Sequence, residues 1–263
     1  MTAATTTAFG SLLRDWRLRR RLTQLELGLA AEVSARHLSF LETGRSQPSR
    51  EMVLHLSEEL DVPLRGRNEL MAAAGFAPAY THHGFDDTEM AEVRHSLQRI
   101  LDGHEPYPAL LVDGMWNLLA GNRAVALLTD LVDPALLAPP VNVLRVSLHP
   151  RGLAPHVVDL AEYAAHLVSR LRRQAERSAT TGLRALLAEV VGYCRSQGLD
   201  PVAVPRDRIV LPLRVRHPDQ ELTLFSTVSV LGAPLDVTLD EVAIESFLPA
   251  DEATSAYLRS RFA

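Results

Sequence analysis

The stretch of sequence that decides the fold of the N-terminal part runs from Thr23 to Arg50 and reads TQLELGLAAEVSARHLSFLETGRSQPSR. Thr23, with Glu26 three residues later, has the pattern of a capping box, which predicts that a helix begins there. Ser34 is the N-cap of a second predicted helix, which Gly44 ends. Two short helices joined by so brief a break are typical of a helix-turn-helix, with residues 34–43 as its second helix.

Apolar residues at helical spacing continue on both sides of this motif. They predict one helix over about 9–20 before it, and two over about 49–62 and 65–74 after it. The five helices predict an all-α domain over residues 1–75. Residues 76–90 follow as a predicted linker.

Residues 91–263 mix helical and strand patterns, so we predict a second, α+β domain and a multi-domain protein. Apolar runs on both sides of Asp113-Gly114 predict a hairpin with a type I′ turn. Residues 141–149 fit a helix and a strand equally well. The other elements are predicted as helices over about 88–102, 157–177 and 182–195, and as strands over about 209–216, 221–231 and 241–248.

Composition and motifs exclude several classes of protein. The 263 residues are 47% hydrophobic and 22% charged, as in globular proteins. No apolar run reaches the roughly 18 residues of a membrane span and no apolar leader is visible, so we expect no membrane association and a cytoplasmic protein. The single cysteine, Cys194, excludes an internal disulfide and a cysteine-based zinc site. Without a phosphate loop, a nucleophile elbow or a His-x-x-x-His pair, we expect no catalytic residue, metal or cofactor, and no enzyme.

The distribution of charge favours DNA binding at the N-terminal end. The net charge is −5, but residues 1–50 contain eight arginines against four acidic residues. Local charge is the better guide because contact with nucleic acid is local. All 27 basic residues of the chain are arginines, whose planar fork suits phosphates and guanine edges.

Residues 23–50 resemble the helix-turn-helix of the Cro/C1-type (XRE) family. The second helix would bury Leu38 and Leu41 and turn its other side to the major groove, where Arg36 can bind guanine bidentately. The resemblance also implies an ion pair between Arg17 and Glu42. Two alternatives remain: Phe40 as a core residue and Arg19–Arg21 as a solvated face. The predicted DNA-binding residues are Gln24 (to a phosphate), Ser34, Ala35, Arg36, Ser39, Phe40, Arg45 and Arg50.

The whole chain after about residue 8 resembles the MmyB-like transcription regulators. The segments that carry this resemblance are LDVPLRGRNEL over 60–70, HEPYPA over 104–109, NVLR over 142–145, LHP over 148–150 and FST over 225–227. The family usually has an acidic residue where this chain has Gly66. The resemblance implies a DNA-binding regulator with a C-terminal PAS-like domain for an apolar, fatty-acid-like ligand. Because a single helix-turn-helix makes few contacts, we expect a homodimer on a double-stranded DNA operator.

The predicted ligand site combines an apolar wall with polar groups. Arg145 would receive the carboxylate of the ligand. Three separate alternatives remain. Arg145 could form a structural ion pair with Glu245 or Asp251, and Trp116 could belong to the core. The C-terminal domain could bind no ligand and only dimerise. The predicted ligand-binding residues are Trp116, Asn122, Arg145, His149, Phe225, Thr227 and Phe247.

Overall fold

The computed structural model describes residues 7–178, 181–201 and 211–262. The chain forms two compact units. Of the described residues, the first contains 7–82 together with the short segments 176–178 and 234–240, and the second contains 83–175, 181–201, 211–233 and 241–262. The predicted order, an all-helical part followed by a part with helices and a sheet, is confirmed.

The first unit contains the five predicted helices. Their bounds are α1 Ala8–Arg19, α2 Gln24–Ala30, α3 Ala35–Glu42, α4 Arg50–Glu59 and α5 Leu64–Ala73. The capping box at the start of α2 is confirmed, because Thr23 Oγ1 accepts from the Glu26 amide at 3.1 Å and Glu26 Oε2 accepts from the Thr23 amide at 2.7 Å. Ser34 caps α3 through a single bond, in which its Oγ accepts from the His37 amide at 3.2 Å. These caps are local, so neighbouring residues suffice to set where the helices begin.

The core of the first unit lies between α1 and the helices that follow it. Leu13, Trp16, Leu38 and Leu41 are buried there. Gly66 lets α5 approach this core closely, since a Cβ at that position would lie 2.7 Å from Val62 Cγ1 and 2.8 Å from Trp16 Cζ2. Any larger side chain therefore requires Trp16 or Val62 to move.

The start of α5 takes its cap from a distant residue. Pro63 occupies the N-cap position and has no side chain that can accept a hydrogen bond. Asp240 Oδ2, from the segment 234–240 of the same unit, accepts from the Leu64 amide at 2.9 Å. A carboxylate at a helix N-terminus is also favoured by the helix dipole.

The second unit is built on a five-stranded antiparallel sheet with the strand order β2-β1-β5-β4-β3. The strands are β1 Ala109–Val112, β2 Leu118–Gly121, β3 Leu213–Arg216, β4 Glu221–Val230 and β5 Ala243–Pro249. The helices that follow α5 in the chain are α6 Ala91–Asp102, α7 Ala126–Thr129, α8 Val143–Leu148, α9 Leu160–Ser178, α10 Thr181–Ser196, α11 Val237–Glu241 and α12 Glu252–Phe262. Helix α11 comes between β4 and β5 in the sequence, and its first four residues belong to the segment 234–240 of the first unit.

Several predictions for this unit need correction or completion. Within the ambiguous residues 141–149, Val143–Leu148 form helix α8, and α11 was not predicted. The first part of the strand predicted from residue 209 lies outside the described residues, and the described strand begins at Leu213. Within the described residues, no helix is long and apolar enough to cross a membrane.

The predicted type I′ turn is wrong. Such a turn needs positive φ at both central residues, but within this loop the residue with positive φ is Trp116, at 66°. The Asp113 carboxylate accepts from the amides of Met115 and Asn117, both at 2.8 Å. The connection is therefore longer than predicted, and it holds Trp116 in a left-handed conformation that a bulky residue rarely adopts.

The two faces of the sheet pack against different elements. On the outer face, Leu97 and Leu101 of α6 pack against Ala109, Leu111 and Ile244. The inner face carries Leu110, Val112, Leu222, Leu224 and Phe247, which pack with residues of α7 and the following segments. Pairing of Ser226 with Phe247 fixes which residues of β4 point inward.

Candidate DNA-binding surface and ligand cavity

A buried ion pair fastens α3 to α1. Arg17 Nε donates to Glu42 Oε1 at 2.6 Å and Arg17 Nη2 donates to Glu42 Oε2 at 2.9 Å. The hydrogen bonds to Glu42 raise the pKa of Arg17, whereas burial of the guanidinium acts to lower it. Gln24 Nε2 adds a bond to Glu42 Oε2 at 2.8 Å. The ion pair that the resemblance implies is present, and it sets the direction of α3 relative to α1 and α2.

The exposed side of α3 carries arginines around an aromatic ring. The guanidinium carbons of Arg36 and Arg45 lie 5.4 and 6.0 Å from the centroid of the Phe40 ring. Both arginines are exposed and Phe40 is half-buried, so Phe40 is not a plain core residue. Cation–π contact at this distance orders long side chains without removing their hydrogen-bond donors from solvent. The surface therefore offers two guanidinium forks to a phosphate or a base edge.

The remaining residues predicted to bind DNA lie near this surface but differ in their contacts. Ser34 is exposed, and its Oγ accepts from the His37 amide at 3.2 Å. Ala35 and Ser39 are half-buried, and Arg50 is exposed at the start of α4. Gln24 is half-buried and directs its amide to Glu42, so its side chain is engaged within the protein. Their contacts with DNA stay predictions.

The three consecutive arginines at the end of α1, Arg19–Arg21, are not equivalent. Arg20 Nε donates to the Leu60 carbonyl at 2.7 Å, and its guanidinium lies over the Trp16 ring. Arg19 also stacks over Trp16, whereas Arg21 is exposed. Arg20 therefore joins α1 to the end of α4 and has a structural role.

The second unit contains a cavity of about 60 Å³ between the inner face of the sheet and helices α7, α8 and α9. Its wall is mostly aliphatic, with Trp116, Tyr163 and Phe247 as aromatic members. Leu118, Leu137 and Val141 line it from the side where side chains are half-buried. Several water-sized groups fit this volume, and an apolar wall of this kind suits an apolar guest.

One end of the cavity is polar. Glu245 lines it and is buried, and its Oε1 accepts from Arg170 Nη1 at 3.0 Å. The guanidinium of Arg170 lies 4.4 Å from the centroid of the Trp116 ring. Trp116 Nε1 donates to Gln174 Oε1 at 2.6 Å. The wall at this end is thus held by a chain of contacts from β5 through α9 to the loop after β1.

Tyr163 and Ser147 form the second polar pair of the cavity, and their side chains are hydrogen-bonded to each other. Burial, and next the negative charge of Glu245, raise the pKa of Tyr163 well above its usual value, while the Ser147 bond and Arg170 oppose this. The Tyr163 hydroxyl is therefore neutral at any physiological pH.

The structure brings only two of the predicted ligand-binding residues, Trp116 and Phe247, to the cavity. Arg145 pairs with neither Glu245 nor Asp251. Its Nε and Nη2 bond the two carboxylate oxygens of Glu189 on α10 at 2.7 and 3.0 Å, which raises the pKa of Arg145. His149 packs edge-on against the Tyr193 ring.

The other three predicted residues have structural surroundings. Asn122 is buried and bonds the Ala109 amide and the carbonyls of Leu101 and Tyr107. Phe225 and Thr227 alternate with Ser226, which pairs with Phe247, so they lie on the face of the sheet opposite the cavity. A ligand role for these residues and for Arg145 stays a prediction.

Sequence reasoning missed Tyr163 and Arg170 as residues of this region. Tyr163, Leu167, Arg170 and Gln174 are spaced by four, three and four residues, so they share one face of α9. That face is buried on both sides of Arg170. A charged residue within a buried helical stripe was the signal that could have found it. Within the described residues, no group of three or more His, Cys, Asp or Glu side chains could hold a metal ion.

Comparison with known families identifies both parts of the chain. Residues 13–66 match the helix-turn-helix family. Residues 93–260 match the family described as MmyB-like transcription regulator ligand binding domain, which covers more than half of the chain. No curated protein matches significantly.

A solved structure titled "Structure of an RNA-binding Light-Oxygen-Voltage Receptor" is similar at 13% identity and a TM-score of 0.30. The alignment covers 98% of this chain and 62% of that chain. At this TM-score, nothing about fold or function follows from the likeness.

Proposed function

Since the chain belongs to the MmyB-like transcription regulators and joins a DNA-binding helix-turn-helix to that family's ligand-binding domain, we propose that a small apolar effector of fatty-acid type controls its affinity for an operator. The observation that carries this proposal is the mostly apolar cavity of the second unit. The antiparallel sheet with its flanking helices supports the PAS-like description of that unit.

On DNA, the protein is proposed to act as a homodimer with Arg36 reading a base pair. A single helix-turn-helix makes few contacts, and two related half-sites about 34 Å apart fit two recognition helices. Selection from random duplexes with the full chain tests this. A pseudo-palindromic site supports the dimer, and a single half-site contradicts it.

The effector is proposed to enter where Leu118, Leu137 and Val141 are half-buried. Small-molecule sites commonly measure about 300–1,000 Å³, so an acyl chain must displace side chains of this wall. Leu137→Trp should block it. Leu136→Trp is the matched control, because Leu136 packs against the same core but does not line the cavity.

Native mass spectrometry of freshly purified protein, compared with denatured and organically extracted samples, tests the effector. An acyl compound bound to wild type and to Leu136→Trp, but lost in Leu137→Trp, supports the proposal. If all three proteins are free of ligand and of added acyl probes, the result contradicts the proposed effector and favours the alternative of a constitutive regulator whose second unit only dimerises.

A further inference from the structure

We infer that the effector presents a neutral hydrogen-bond donor, such as a hydroxyl, to Glu245 rather than a carboxylate to an arginine. This rests on the proposed function, in that an apolar effector occupies the cavity, and it specifies the polar end of that effector. It also moves the polar anchor from Arg145, which lies outside the cavity wall, to Glu245.

The wall of the cavity carries one negative charge and no positive charge among its described residues. Among the described residues that line the cavity, Glu245 is the only charged one. Arg170 lies behind it, with Nη1 on Glu245 Oε1 and its plane against Trp116, and does not line the cavity. A ligand carboxylate would therefore meet a buried negative charge before it reached the guanidinium, and like charges at close range are unfavourable.

The other polar groups of the wall suit a hydroxyl head. Trp116 Nε1 already donates to Gln174, and Thr129 Oγ1 donates to the Val125 carbonyl at 3.5 Å. The Ser147 and Tyr163 side chains bond each other, which uses one of their two hydroxyl protons. A guest hydroxyl can accept from the other proton while it donates to Glu245, whose carboxylate has about four acceptor positions.

The ion pair behind the wall disfavours a cationic guest as well. The Glu245 carboxylate is already paired with one guanidinium, so a cationic guest would place a second positive charge beside Arg170. A neutral donor gains a charge-assisted hydrogen bond without this penalty. A long-chain alcohol, or an acid bound in its protonated form, has the required head.

Isothermal titration calorimetry on the full chain tests the inference with three probes of one chain length: 1-octanol, octanoate and methyl octanoate, at pH 7.5. Hydrogen bonds to charged groups account for roughly 10- to 100-fold in affinity. We expect 1-octanol to bind about 10- to 100-fold more tightly than octanoate. Methyl octanoate, which accepts but cannot donate, should bind at least about 5-fold more weakly than 1-octanol.

The variant Glu245→Gln removes the charge and keeps an acceptor, so the difference between alcohol and carboxylate should fall below about 3-fold. Glu189→Gln, which removes the partner of Arg145 outside the cavity, should leave the difference unchanged. The wild-type comparison decides the matter even if Glu245→Gln fails to fold.

Two results would overturn the inference in distinguishable ways. Octanoate binding as tightly as 1-octanol, or more tightly, refutes the donor head and leaves the apolar effector intact. Binding of none of the three probes at millimolar concentration refutes both the donor head and the proposed effector site.

Discussion

Removing the Glu42 carboxylate should destabilise the first unit more than any surface change. Arg17 and Glu42 are 6% and 4% exposed, and two hydrogen bonds of 2.6 and 2.9 Å join them. Glu42→Ala leaves the Arg17 guanidinium buried without its counter-charge and removes the acceptor of Gln24. Breaking one side of a buried pair costs about 3–5 kcal/mol, a large share of the roughly 5–15 kcal/mol that stabilises a domain.

Replacing both partners should restore most of this loss. A buried pair exchanged for apolar side chains of similar volume is often neutral, because the desolvation cost disappears with the charges. The free energy of unfolding of the double variant Arg17→Met/Glu42→Leu should therefore lie within about 1–2 kcal/mol of the wild-type value. Its remaining difference reflects two lost hydrogen bonds, from Arg17 Nη1 to the Leu22 carbonyl at 2.7 Å and from Gln24 Nε2 to Glu42 at 2.8 Å in the native protein.

Urea unfolding of the full chain, followed by tryptophan fluorescence from the buried Trp16 of the first unit and Trp116 of the second, measures these differences by comparison of each variant with wild type. Glu59→Ala is the control, since Glu59 is exposed at the end of α4 and should change stability by less than about 0.5 kcal/mol. A loss below about 1 kcal/mol in Glu42→Ala, or a double variant as unstable as the sum of the two single variants, would refute the role assigned to the pair.

Three further predictions concern specificity, packing and pH. Arg36→Ala should cost about 1–3 kcal/mol in operator affinity and relax specificity at one base pair, while Arg50→Ala should weaken all duplexes similarly; anisotropy titrations on operator variants show this, and uniform weakening by Arg36→Ala would place that residue on a phosphate. Gly66→Ala should lower stability by about 1–3 kcal/mol because its Cβ would lie 2.8 Å from Trp16 Cζ2, and an unchanged urea midpoint would contradict the close packing. Burial lowers the pKa values of His104 and His217 in the folded protein. Below the unfolded histidine pKa of about 6.5, the unfolded chain therefore binds more protons than the folded protein. The free energy of unfolding should decline as the pH falls from that value through the lower pKa values of the folded protein. Urea midpoints at pH 7.5 and 5.5 test this, with a smaller decline expected in His104→Gln and an equal decline counting against it.

The sequence predicted the first unit well because its signals are local. The caps at Thr23 and Ser34 lie within three residues of the amides they accept from, so they identify the helix starts without tertiary information. Gly66 is the exception. Its small size matters because Val62, four positions earlier, and Trp16, fifty positions earlier, both pack against it, and the contact with Trp16 is not visible in the local sequence.

The second unit was harder because its decisive contacts are distant in sequence. The partner of Arg145 is Glu189, 44 positions away, and no local pattern distinguishes it from Glu245 or Asp251. The register of β4 on β5 decides which of the two alternating sets of β4 side chains faces the cavity, and it directs the side chains of Phe225 and Thr227 to the opposite face of the sheet. The turn after β1 follows the Asp113 hydrogen bonds rather than the Asp-Gly pattern.

The most direct test of the account is the affinity of the full, delipidated chain for its selected duplex, measured by fluorescence anisotropy at one fixed salt concentration with and without saturating 1-octanol. Coupling between two sites typically amounts to about 1–3 kcal/mol, or roughly 5- to 150-fold. The account predicts sequence-selective binding whose Kd changes at least about 5-fold when the cavity is occupied. An unchanged Kd with 1-octanol demonstrably bound, or no preference for any duplex, would contradict it.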